Sequence, residues 1–220
     1  MPDPFVTIVI INYKTPDLLR RAAGSLRVYY PSHPLLLIDN GSNDGSLAVM
    51  EEFKRKSQDC TEILRNRRNL HHGPAMDQAS HFAQSQYVLF LDSDAEVIKG
   101  GFIESMLSLA GQDLRSYAIG KRIYMNRRGF DVTESSGAIP YIRPILMLVR
   151  RELYLTLPRF RRHGSPCLEN MKEASRRGLG LIDFPVEEYI VHHGRGTAGR
   201  HGYGLGVRGK LNYLLNKVGL

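Results

Sequence analysis

The chain has 220 residues, 42% apolar and 24% charged, a globular balance that excludes a disordered polymer. Its net charge of +8 is uneven, with 11 basic and 13 acidic side chains in 1–110 but 19 and 9 in 111–220, so the second half expects an anionic partner: phosphates, nucleic acid or an acidic membrane face. No apolar run approaches the roughly 18–20 residues of a membrane span and no secretory leader is expected; two cysteines, Cys60 and Cys167, exclude a disulfide framework and fit a reducing cytoplasm.

Phe5 to Ile11 is a β-branched run with little polar alternation, as in a central strand covered on both faces. Thr15-Pro16-Asp17 opens a helix, with Thr15 as N-cap, Pro16 in the first turn and Leu18, Leu19, Ala22, Ala23 and Leu26 at helical spacing. Leu35 to Ile38 is a second strand, Ser46 to Lys56 a helix, Glu62-Ile63-Leu64 a third strand and 74–85 a further helix. Tyr87 to Leu91 is a fourth strand, ending on Asp92. This alternation predicts a parallel α/β sheet. Further on, Tyr117 to Lys121, Ile142 to Val149 and Ile182-Asp183-Phe184 read as strands, and Leu168 to Arg177 as a helix closed by Gly178. Residues 194–209 hold seven glycines and read as a mobile loop, followed by an amphipathic helix over Lys210 to Val218.

Ligands of parallel sheets bind outside the carboxyl ends of the strands. Three strand ends here carry polar clusters: Asn12-Tyr13, Asp39-Asn40-Gly41-Ser42 and Asp92-Ser93-Asp94. Residues two apart on a strand share a side, so Asp92 and Asp94 converge and need a cation between them. Oxygen ligation at so few positions suits Mg²⁺ or Mn²⁺, which keep waters and accept substrate phosphates. The alternative is a pair of helix caps, with Asp94 opening a helix near Val97.

Val6 to Tyr13, Ile38 to Gly45, Asn69-Leu70 and Tyr87 to Asp94 together resemble the family 2 glycosyltransferases of GT-A fold, most of all members that build bacterial surface polysaccharides, including rhamnosyltransferase-like ones. The resemblance covers residues 5–110 well and is looser beyond. It implies a Rossmann-like, mostly parallel central sheet flanked by helices, with a short acceptor-side region. One domain would span 1–220: a nucleotide-sugar half (1–110), an acceptor-side half (111–193) and a basic glycine-rich loop with a C-terminal helix (194–220). It implies donor contacts at Asn12, Tyr13 and Asp39, and an Asp-x-Asp metal motif, with Asp94 the direct ligand and Asp92 nearer the ribose. Asp77 falls where many relatives place an Asn facing the donor. Lys14 reads either as a phosphate contact or as a solvated loop residue, and His71 and His72 either as donor contacts or as a surface pair.

The resemblance further implies a carboxylate base at the start of a helix in the second half. Glu169 is the candidate, because the usual Asp falls on Asn170 or Cys167 in the two possible alignments. His163 is an alternative base, and Cys167 reads as a buried thiol. His193, or its neighbour His192, would complete the metal site. Arg195 and Arg200 would close on the diphosphate with forked donors. The implied activity is metal-dependent, inverting transfer from a nucleoside-diphosphate sugar to a glycan or lipid-diphosphate-linked acceptor. It would take place in the cytoplasm, with a possible anionic membrane surface at the inner face of the plasma membrane. Two competing readings remain: a catalytically inactive relative that binds nucleotide-sugars, and a nucleic-acid-binding protein. The basic half lacks the interleaved aromatic residues of a stacking groove, which argues against nucleic acid.

Overall fold

The computed structural model of the chain describes residues 5–161 and 164–193. The expected glycine-rich loop, C-terminal helix, Arg195, Arg200 and His163 lie outside the described residues. In chain order the elements are β1 (Val6–Asn12), α1 (Pro16–Tyr29), β2 (Leu35–Asp39), α2 (Ser46–Lys56), β3 (Thr61–Arg65), α3 (His72–Phe82), β4 (Tyr87–Leu91) and β5 (Ala95–Val97). There follow α4 (Phe102–Gln112), β6 (Ser116–Met125), β7 (Asp131–Val132), β8 (Ile139–Arg150), α5 (Arg151–Tyr154), α6 (Leu168–Arg176), β9 (Gly180–Asp183) and β10 (Ile190–His192).

The main sheet runs β3-β2-β1-β4-β8-β6-β7, with β9 on the far side of β6. The first four strands are parallel. β8 is antiparallel to both β4 and β6, β9 parallels β6, and the short β7 is antiparallel to β6, so β8 and β7 run against the other strands. A separate two-stranded ribbon pairs β5 with β10. The alternative of a helix capped by Asp94 near Val97 is not what forms there, since β5 is a strand, and α4 is an element without a counterpart in the sequence expectations.

Side-chain alternation along β1 divides the core. Ile8 and Ile10 face Leu19, Leu26, Met50, Phe102 and Met106 from α1, α2 and α4. Val9 and Ile11 face Met76, Ala79, Leu168 and Met171 from α3 and α6. Helices on both faces explain why β1, β2 and β4 are apolar throughout rather than alternating. Arg150 fastens the far end: its buried guanidinium donates to the carbonyls of Ser116 (3.0 Å) and Ala110 (2.6 Å) and lies over the Tyr87 ring.

β8 contains Pro140 and Pro144, residues that weaken a central strand. The chain absorbs Pro144 in a bulge: β6 and β8 stay in register on either side of a shift between Gly120 and Arg122, opposite Ile142 to Met147. Within the bulge Ile145 offers its carbonyl to the Asp92 amide (3.0 Å), carrying β4–β8 pairing to the edge where the acidic pair begins.

Candidate active site

One register aligns the carboxyl edge: Asn12 lies beside Asp39, and Asp39 beside Arg65. Asp39 is buried, and its Oδ1 accepts the Ser42 amide (3.0 Å). Its Oδ2 has no hydrogen-bond partner among the described residues; the nearest cation is Arg65 Nε at 4.0 Å. A buried carboxylate oxygen left unpaired is costly, so this atom is poised for a ligand N–H.

The loops around this edge are braced from below. Asn40 takes the Asn66 amide (3.1 Å) and the Leu70 amide (3.1 Å) on its Oδ1, and donates to Asn69 Oδ1 (3.1 Å). Gly41 has φ +82°, and a Cβ there would lie 2.4 Å from the Arg68 carbonyl carbon, so glycine is required. Among the described residues two non-glycines adopt positive φ, both at this rim: Lys14 (+57°), whose amide donates to Ser42 Oγ (3.0 Å), and His71 (+69°), whose amide donates to Asn69 Oδ1 (2.7 Å). Lys14 Nζ lies 5.3 Å above the Tyr13 ring.

Asn12, expected as a donor contact, makes two hydrogen bonds within the protein. It is fully buried; its Nδ2 donates to Ser46 Oγ (2.8 Å) and its Oδ1 accepts the Thr15 hydroxyl (2.7 Å). It thereby ties the end of β1 to the starts of α1 and α2. Thr15 likewise spends its hydroxyl on Asn12, not on capping α1. Asp77 is held by the Tyr154 hydroxyl, with His81 (3.4 Å) and Arg159 (3.9 Å) nearby, and so links α3 to α5 and the segment after it.

Among the described residues, Asp92, Asp94 and His192 form a group able to hold a metal, each offering one ligand atom, all within 4.8 Å of one another. His192 Nε2 lies 3.2 Å from Asp94 Oδ1 and 3.9 Å from Asp92 Oδ2. Two carboxylate oxygens and an imidazole suit Mn²⁺ better than the all-oxygen preference of Mg²⁺. His193, the expected ligand, is turned away: its Nε2 meets Glu96 Oε2 at 2.7 Å and Arg21 at 3.3 Å. The cause is strand alternation in the β5–β10 ribbon, where His192 pairs with Ala95, directly after Asp94.

Electrostatics mark the same group. Burial, then the charge of Asp94, push Asp92 up to about 7, while His192 opposes the shift. The hydrogen bond to Asp94 raises His192 above the usual imidazole range. His72, at the start of α3, places Nε2 3.7 Å from Asp92 Oδ1. Arg143, on the β8 bulge, is ion-paired with Asp131 and close enough to disfavour the charged form of His192.

At the start of α6 the expected residues separate. Glu169 is exposed in the first turn. Asn170 points into the core, donating to the Pro158 carbonyl (2.8 Å) and accepting the Tyr117 hydroxyl (2.6 Å). Cys167 is fully buried, and burial, together with the nearby Asp92 charge, holds its thiol well above the usual range.

The family model described as "Glycosyl transferase family 2" matches residues 7–168. The chain belongs to glycosyltransferase family 2. A curated relative, the poly(ribitol-phosphate) beta-glucosyltransferase of Bacillus spizizenii, is 25% identical over 127 residues, covering 56% of this chain and 20% of its own length. Among solved structures, the Pyrobaculum calidifontis mannosyltransferase PcManGT, in complex with GDP-Man and Mn²⁺, superposes with TM-score 0.63 at 14% identity, over 83% of this chain and 55% of that one. S. aureus TarS 1-349 in complex with UDP-GlcNAc gives TM-score 0.61 at 14% identity, over 84% and 57%. These likenesses establish the GT-A fold for this family 2 chain, which spans a fifth of the curated relative and rather more than half of each solved chain. Sequence reading left open His192 against His193. Strand alternation separates the two, but β5 and β10 are three residues each, too short for alternation to mark them as strands in sequence.

Proposed function

We propose that the chain is a metal-dependent, inverting glycosyltransferase that moves a sugar from a nucleoside diphosphate to a glycan or lipid-linked acceptor in surface polysaccharide synthesis. The observation that carries this reading is one sheet edge. It holds both a buried oxygen of Asp39 without a hydrogen-bond partner among the described residues and the Asp92–Asp94–His192 group, and so has places for a base or ribose and for a metal-bound diphosphate. The names of the relatives, which include GDP-Man, UDP-GlcNAc and Mn²⁺, are consistent with such a donor. The poly(ribitol-phosphate) relative is consistent with a surface polymer as acceptor.

Asp94 and His192 would hold Mn²⁺ or Mg²⁺, with Asp92 shared between ion and ribose. When bound, the cation supplies positive charge against the departing diphosphate. Tyr13 and Asp39 would orient the nucleoside, and Lys14, Arg195 and Arg200 would meet the phosphates. An acceptor hydroxyl attacks the anomeric carbon from the opposite face. The new glycosidic bond forms as the bond to the diphosphate breaks, and the hydroxyl proton passes to Glu169. Soluble and lipid-linked acceptors are both compatible with a protein working at the inner face of the plasma membrane.

Calorimetry of the full chain with Mn²⁺ tests this. UDP or GDP binding is expected, with loss of at least about two orders of magnitude in Asp94→Ala. The loss should be smaller in His192→Ala and absent in His193→Ala. Equal affinity in Asp94→Ala and wild type would overturn the reading. A second reading, a nucleotide-sugar binder without turnover, is favoured by one observation: Cys167 and Asn170 both turn inward at the start of α6, leaving Glu169 as the carboxylate there. Donor binding without transfer or hydrolysis would select it.

A further inference from the structure

A groove of about 240 Å³ lies on the second half, between α6 and the loops flanking β7. Arg127 stands on one side, Lys172 and Arg176 on the other; Gly137, Ala138 and Ser175 are among the small residues between them. We propose that this groove is a subsite for a phosphate group carried by the acceptor, away from the hydroxyl that is glycosylated. The inference rests on the transferase reading above and names the chemistry of its acceptor.

Four observations converge. Arg176 is committed to Glu173 through two contacts of 2.7 and 2.8 Å, but Arg127 and Lys172 have no ion pair among the described residues. Two cations from separate segments, a loop and α6, thus line one groove without an ion pair of their own among the described residues. Besides its three cations the groove is lined by Gly137, Ala138, Ile139, Pro140 and Ser175, with no aromatic ring to stack a sugar or a base, so its polar recognition is by charge rather than by a stacking platform. Lys172 and Arg176 follow Glu169 by three and seven residues, which places all three on one face of α6. A rise of 1.5 Å per residue sets Arg176 about 10 Å along the helix from Glu169, so an acceptor reaching the first turn of α6 would pass the groove. Finally, the groove belongs to the half of the chain with 19 basic against 9 acidic residues.

The C-terminal end of α6 carries partial negative charge and by itself repels an anion. Removing Arg127 and Lys172 leaves Arg176 as the remaining cation against that partial charge, so anion binding should weaken. Arg forks to phosphate oxygens and Lys supplies a point charge, a combination suited to a phosphodiester.

The test uses the full chain, a glycerol-phosphate hexamer and the matching uncharged polyol in calorimetry at two salt concentrations, with UDP and Mn²⁺ titrated separately. Wild type is expected to bind the hexamer in a salt-dependent manner and to ignore the uncharged polyol. Arg127→Gln/Lys172→Gln should bind it about tenfold more weakly, with UDP affinity unchanged. Lys54→Gln/Arg55→Gln, on α2 across the sheet, should match wild type. Equal hexamer affinity in the groove variant and wild type would overturn the proposal, as would an equal loss in the α2 variant. Stronger binding to phosphatidylglycerol vesicles than to the hexamer, lost in the groove variant, would overturn it in favour of a headgroup. If UDP fails to bind wild type while the hexamer behaves as expected, the donor reading fails and the groove stands as an anion site.

Discussion

Across β1, β2 and β3 one parallel register brings Asn12, Asp39 and Arg65 into line, while β8 runs against its neighbours and reaches the same edge only through a bulge at Pro144. A parallel sheet delivers its strand ends to one edge without special devices, so residues there can be specified by a short run after each strand. The returning half needs irregular backbone to do the same. Arg143 comes from the bulge and His192 from a separate ribbon, and each depends on contacts far away in sequence. The edge of the first four strands is thus built locally, and what the second half adds to it is placed by tertiary structure.

The largest effect should come from breaking the local half at its tightest point. Gly41→Ala puts a Cβ 2.4 Å from the Arg68 backbone at φ +82°, with no side chain free to give way. We expect a loss of about 3 kcal/mol or more in urea unfolding, and UDP binding lost with it. Gly137→Ala is the control in the other half. Its φ is +89°, but nothing lies within 4 Å, so about 1 kcal/mol is expected. Similar costs at both positions would mean that backbone conformation alone, and not the approach of the 66–71 loop, sets the requirement at Gly41.

Arg150→Met attacks the half assembled by tertiary contacts. It leaves the Ser116 and Ala110 carbonyls without their buried donor, and about 2–3 kcal/mol should be lost. Because Arg150 sits at the end of β4 remote from Asp92, UDP and Mn²⁺ affinity should hold once the variant is folded. A fall in affinity beyond the folded fraction would show that the two ends of the sheet are coupled.

The same division explains what was legible in the sequence. β1, β2 and β4 declare themselves by apolar runs that end in polar residues, because burial on both faces leaves no alternation to confuse. The polar ends could be located, but not sorted into ligand-facing and structural. Asn12 and Asp39 look alike in sequence, yet Asn12 engages both ends of its amide, with Ser46 and Thr15, while Asp39 keeps one oxygen without a hydrogen-bond partner among the described residues. In the second half even location fails. Glu169 and Asn170 are adjacent, but helical geometry sends one to solvent and the other beneath Tyr117. His192 and His193 differ only by the parity of a three-residue strand that pairs with another of three.

Acid–base linkage probes the contact between the halves, where His192 meets Asp94. Asp92 titrates near 7 when folded, above its ordinary 3.8. Between these values the folded state holds a proton that the unfolded state releases, so stability falls as pH rises. His192 is also raised when folded; its contribution is present below about 6.5 and lost as pH climbs through the folded value. Both act in one direction, and the metal-free protein should lose about 2 kcal/mol between pH 5 and 8. Mn²⁺ displaces these protons, so its affinity should increase over the same range and flatten the profile. Asp92→Asn should remove most of the slope without metal; an unchanged slope would place its origin elsewhere.

The smallest expected effect distinguishes backbone strain from side-chain contact at the rim. His71 combines φ +69° with ψ 169°, a region otherwise reserved for glycine, and it immediately precedes α3. Such a residue persists only where neighbours over-determine it. Here Asn69 accepts its amide and Asn40 reaches its carbonyl at 3.4 Å. His71→Gly should relieve the strain, offset in part by added freedom in the unfolded chain, for a net gain of roughly 1 kcal/mol. If UDP affinity then falls by a few fold while stability rises, the strain serves to hold the donor rim in place. If stability falls instead, contacts of the imidazole outweigh the cost of the backbone, and the rim is held by side chains rather than by the Asn40–Asn69 clamp.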